Sequence, residues 1–163
     1  MATEDTNAEH DLVERNDAIK FAHRTRHNLE VIEQQATAGA SVHAVTQLVN
    51  SLLGLLVFIK EQKFNNEIRG LTLASLEAQG WPQWRSSMDT PTSLGQLVRH
   101  LRNAVAHGGI KFSSDAAALD DVSFEFTDRD PKSSQITWQG QISGPDLRRF
   151  VLRLVQEVDQ RIG

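Results

Sequence analysis

The residues Leu52-Leu53-Gly54-Leu55-Leu56-Val57-Phe58-Ile59 are apolar without a break. A helix wetted on one side needs a polar face, and this run has none. A membrane span needs roughly 20 apolar residues, and the run is far too short for one. What remains is a helix at the centre of a bundle, buried on nearly every side by other helices. Ser41 is its expected cap and Gln62 its expected end.

The rest of the chain supplies the covering helices. Between Asp17 and about Ala38, the positions Ala18, Phe21, Ala22, Thr25, Leu29, Ile32 and Ala36 recur at steps of three and four, a single stripe closed by Gly39. Thr90 and Pro91 read as the start of a third helix that ends at Gly108-Gly109. Ser143-Gly144-Pro145-Asp146 opens a last helix with Leu147, Phe150, Val151, Leu154, Val155, Val158 and Ile162 on one face. A short helix is expected over 72–79, stopped by Gly80. Trp81 and Trp84 follow in a turn, where packing on the bundle is preferred over stacking on bases.

The period changes once, before the last helix. Val122–Thr127 and Gln135–Ile142 alternate apolar and polar residues around a polar tip of Asp128 to Ser134, the pattern of a hairpin. The expected fold is therefore mainly α: an antiparallel four-helix bundle with a two-stranded β-hairpin insert before the last helix. Residues 1–12 are expected as a flexible tail and 13–163 as one domain.

Composition removes several classes of function. With no cysteine, the chain has no disulfides, thiolate metal sites or cysteine nucleophile. A formal net charge of −4 means that any polyanion must be held by a local basic patch. The acidic, polar N-terminus does not read as a secretory signal, so a cytoplasmic, non-membrane protein is expected. His23 and His27 are spaced i, i+4, but the sequence sets no carboxylate beside them. No Gly-rich phosphate loop occurs. Neither a metal nor another cofactor is expected.

The third helix is the specific part. Advancing about 100° per residue from Leu94 puts Leu94, Leu97, Val98, Leu101, Ala104 and Val105 on one half of the cylinder. Gln96, Arg99, His100, Arg102, Asn103 and His107 fall on the other. His100, Asn103 and His107 form a row, with Arg102 about 140° around from His107. Ala104, Ala106, Gly108 and Gly109 are small enough for another surface to approach. Two readings stay open: a solvated face with His107 as a cation favoured at the helix C-terminus, or a reactive centre.

Leu101-Arg102-Asn103-Ala104-Val105-Ala106-His107-Gly108 resembles the signature of the HEPN (higher eukaryotes and prokaryotes nucleotide-binding) family. That signature is an Arg with a polar neighbour, then a His near the end of a helix. The hairpin before the last helix is similar to that of a plasmid-borne bacterial subgroup. The resemblance implies a metal-independent endoribonuclease acting as a toxin or defence effector, with RNA as substrate. It also implies a homodimer in which facing motif helices build a composite site, and an antitoxin or other regulatory partner. Arg102 and His107 are then the catalytic pair and Asn103 their polar support. His100 and Arg99 are auxiliary or RNA-binding candidates. Such a histidine moves protons near neutral pH and such a guanidinium holds phosphate oxygens. The RNA 2′-hydroxyl is the nucleophile, which leaves a 2′,3′-cyclic phosphate. The alternatives are a non-catalytic RNA- or nucleotide-binding module and a pure interaction protein.

Overall fold

Where apolar residues recur every three to four positions the chain is helical, and where they alternate it forms a sheet. A computed structural model describes residues 2–61 and 64–162, with side-chain surroundings over 12–13, 16–58 and 66–161. Helix α1 (Ala2–Thr37) and α2 (Ala44–Glu61) are followed by two short helices, α3 (Phe64–Ile68) and α4 (Leu73–Ala78). Strand β1 (Arg85–Met88) precedes α5 (Leu94–Ala106), after which come β2 (Ile110–Phe112), a 3-10 turn (Leu119–Asp121), β3 (Ser123–Arg129), β4 (Ile136–Ser143) and α6 (Gly144–Ile162).

Helix α1 packs on α2 and α6, and α2 packs also on α5 and α6. Their shared core holds Leu48, Leu52, Leu55 and Leu56 of α2 with Leu97, Leu101, Phe150 and Leu154 from α5 and α6. Ser143 starts α6 as expected, its Oγ accepting the Asp146 N–H.

Several boundaries differ from the sequence expectation. The backbone of α1 is helical from Ala2, through the stretch expected as a tail and well before Asp17. Ser41 does not cap α2, which starts at Ala44, and Gln62 lies outside the described residues. Nor is α2 enclosed on every side: Val57 is 54% exposed, while Phe58 is half-buried and stacks on Phe21 at 4.1 Å. The apolar run has one neighbour-rich face, and Val57 sits off it.

The expected two-stranded hairpin is the centre of a four-stranded antiparallel sheet, in the order β1-β4-β3-β2. Strands β1 and β2 each satisfy one open edge of the hairpin. Ser86, Gly140, Phe126 and Ile110 lie in one cross-strand row, and Met88, Trp138 and Asp128 in another. Both added strands are too short to show an alternation, so only long-range pairing reveals them. The hairpin tip also begins later than expected. Asp128 belongs to β3, and it is Asp130 that closes the turn, accepting the Lys132 and Ser133 N–H groups. Those bonds hold the Asp130 carboxyl below its usual range.

The two indoles are core residues. Trp81 packs edge-on against Phe150, and Trp84 edge-on against both Phe126 and Phe150, filling the space between sheet and α6. Neither is offered to a base. Among the described residues no helix is long and apolar enough to cross a membrane.

Candidate active site

Helix α5 carries the motif, and its start is set by the fold rather than by Pro91. Ser93 is the cap, its Oγ accepting the Gln96 N–H, while the Gln96 side chain accepts from the Thr92 N–H at 2.8 Å. The Leu94 N–H donates to the Leu71 carbonyl, which ties this end to the segment before α4. Pro91 lies buried ahead of the helix, and Thr90 is exposed.

The half of α5 expected to face water packs in part on β3. His100 is 4% exposed, and its Nδ1 lies 2.8 Å from Oδ2 of Asp128. The Asn103 amide donates to that same oxygen at 3.2 Å. One carboxylate oxygen thus accepts from two side chains a helical turn apart, since positions i and i+3 share a face. The His100 ring stacks on Trp138 at 5.3 Å, and the Trp138 indole donates to Ser86 Oγ. His100 is therefore enclosed between Asp128 and Trp138, whereas His107 of the same row is exposed.

Asp128 is the residue that sequence reasoning missed. Its signal was present: Phe124, Phe126 and Asp128 are two apart, so continuing the strand carries Asp128 onto the core face. The register shifts immediately after it, between Asp128 and Arg129, and Arg129 emerges exposed. Grouping Asp128 with the polar tip hid this.

Arg102 is half-buried on α5, and His107 is its exposed C-cap. Arg99 is exposed one turn nearer the N-terminus. Among the described residues, no side-chain hydrogen bond or ion pair engages Arg99, Arg102 or His107. Beyond His107 the chain turns at once. The Gly109 N–H donates to the Ala104 carbonyl at 2.6 Å, and the Gly109 carbonyl accepts the Thr127 N–H at 2.7 Å. The end of α5 is thus fastened to β3 on both sides of the Arg102–His107 segment.

Other basic groups are committed elsewhere. Arg148 forms a two-pronged ion pair with Glu33, whose hydrogen bonds raise the guanidinium pKa further, and Arg149 pairs with Asp146. Neither is free to join the α5 site. His23 meets a carboxylate that its sequence neighbourhood did not offer, Asp159 at 2.9 Å, in an exposed pair. Among the described residues no group of three His, Cys, Asp or Glu side chains is arranged to hold a metal ion.

What the site offers chemically is a permanent cation and an imidazole at a helix end, on a frame fastened to a sheet. No curated protein and no solved structure matches the chain. A family model described as HEPN pEK499 p136 does match it, over residues 1–161. That match takes in α5, its two glycines and the sheet insert together, and the chain belongs to the HEPN family, in its plasmid-associated type.

Proposed function

We propose that the protein is a metal-independent endoribonuclease of the HEPN class, with Arg102 and His107 as the reacting pair. Family membership supports a nucleotide-binding or RNase-type module in general terms. The observation that carries the finer reading is a division of labour along α5. His100 and Asn103 are used up by Asp128, whereas Arg102 and His107 are left unengaged among the described residues. A pure scaffold has no need to keep an arginine and a histidine unengaged at the end of one helix.

His107 takes the proton from a ribose 2′-hydroxyl, and a histidine returns one to the leaving 5′-oxygen. Arg102 stabilises the charge on the phosphate as the new P–O bond forms. The products are a 2′,3′-cyclic phosphate and a 5′-hydroxyl, and DNA is not cut. Arg102 and His107 diverge by about 140° within one helix. Two copies facing each other across α5, with four-helix bundles side by side, would place two of each around one cleft. The small exposed Ala106 allows that approach. Asn103 then supports the motif by holding the helix, without touching RNA. A toxin or defence role, with a restraining partner protein, follows from such an activity.

The test is RNA cleavage in excess EDTA by wild type, Arg102→Ala and His107→Ala together. Wild type alone should cleave, with each variant down by about 10²-fold or more. Equal activity in all three would sink the assignment. RNA binding with no cleavage by any would replace it with a binding module.

A further inference from the structure

We infer that Asp128 is a positioning residue for the Arg102/His107 centre, setting the rotation of α5 from the sheet. The inference rests on the ribonuclease reading for its catalytic consequence, though not for its geometry. The Asp128 and His100 side chains are each 5% exposed, so their 2.8 Å contact is shielded from water. The Asn103 amide adds a second donor to the same oxygen, three residues further along. From the next residue back in β3, the Thr127 N–H reaches the Gly109 carbonyl at 2.7 Å. Two consecutive strand residues therefore hold α5 at 100 and 103 and the turn after it at 109, and the reacting residues 102 and 107 lie inside that interval.

Apolar packing alone would hold the helix against the sheet, and for stability an apolar pair serves as well as a buried polar one. What hydrogen bonds add is direction. Leucines slide past each other at little cost, whereas bonds near 3 Å fail when a donor swings out of line. A side-chain tip about 6 Å from the helix axis moves about 1 Å when the helix turns by about 10°. A displacement of about 1 Å in a reacting group can cost about 10²-fold in rate. The pin therefore governs where Arg102 and His107 point without touching substrate. His100, stacked on Trp138, serves as the helix side of the pin.

The experiment compares full-length wild type, Asp128→Asn and a control, Leu154→Ala, which loosens the shared helical core at a residue that takes no part in the Asp128 hydrogen bonds. Asp128→Asn keeps the side-chain shape and an oxygen for both donors but removes the charge that strengthens the two bonds. Two readouts are taken on the folded fraction: kcat and KM on an oligoribonucleotide, and hydrogen exchange of the amides from Asn103 to Gly109. Asp128→Asn should lower kcat by about 10- to 100-fold, with KM within about threefold. Exchange in the last turn of α5 should rise at least about tenfold while that of α2 does not. Leu154→Ala should lower the melting temperature and leave kcat per folded molecule unchanged. Should Asp128→Asn fail to fold, His100→Phe removes the donor while keeping a ring on Trp138, and the same signature is expected. Unchanged exchange at Asn103 to Gly109 overturns the pin. Faster exchange with the control's kcat overturns its catalytic consequence. If wild type cleaves nothing, the ribonuclease reading fails, and the exchange arm still decides whether Asp128 sets the helix.

Discussion

Two adjacent glycines follow His107, and they should respond very differently to alanine. At Gly109 a Cβ would sit 2.2 Å from the Thr127 carbonyl oxygen and 3.1 Å from that of Ala104. Side-chain carbons essentially never come within 3.0 Å of such an atom, so β3 and the end of α5 must separate by about 0.8 Å. The Thr127 N–H to Gly109 bond, now 2.7 Å, lies across that gap and would be stretched or lost. Overpacking of this kind costs about 2 kcal/mol, and a damaged buried hydrogen bond adds about 1, giving roughly 3 kcal/mol. At Gly108 nothing lies within 4 Å, but φ is +67°. Alanine there meets only the strain of the left-handed region, about 1 kcal/mol. Urea unfolding followed by tryptophan emission reads both, because the three tryptophans lie in or beside the sheet. With a slope of about 2 kcal/mol/M, the midpoint should fall by about 1.5 M for Gly109→Ala and about 0.5 M for Gly108→Ala. A Gly108→Ala cost equal to or above that of Gly109→Ala would refute the close approach of helix end and strand.

Two further predictions test the helix ends. Ser93→Ala should lower stability by about 1 kcal/mol while Thr90→Ala changes it by less than about 0.3, read as the difference in urea midpoint, because Ser93 alone accepts a helix N–H. The Asp146 carboxyl is held below its usual pKa, chiefly by the Arg149 guanidinium and also by Ser143. A depressed folded-state pKa gives stability that is present above the unfolded value and is lost as pH falls through the folded one. Asp146→Asn should therefore cost about 0.5 kcal/mol at neutral pH, small because the pair is partly exposed, and nothing once the Asp146 carboxyl is protonated in the folded and the unfolded chain alike. A cost independent of pH in urea titrations would contradict the ion pair.

The helices were largely legible because their signal is local. The stripe from Leu147 to Val158 and the Ser143 start are contained in sixteen consecutive residues, and periodicity finds such stripes without knowing what they touch. The hairpin was legible for the same reason. Strands β1 and β2 were not, since Arg85-Ser-Ser-Met88 carries no alternation and becomes a strand only because Gln141 to Trp138 lie opposite it. Ser93 was missed in favour of Thr90 because Pro91 reads as a first-turn residue, although the Ser93-to-Gln96 capping pair is local. Val57 was expected inside because hydropathy says how apolar a residue is, not how many neighbours reach it.

The candidate site divides along the same line. Arg102 and His107 stand out in the sequence because their spacing is a property of one helix. The surroundings of His100 were not legible because a helical wheel gives the angle of a residue but not what lies at that angle. His100 and Asn103 share a polar face in either case. Whether that face meets water or a carboxylate depends on where β3 lies, and its Asp128 comes 25 residues after Asn103. The wheel therefore names the residues that are not apolar core, and only the sheet separates those that it engages from those left unengaged. Asp128 makes that separation: it engages the two polar side chains turned toward β3 and leaves Arg102 and His107 outside its reach.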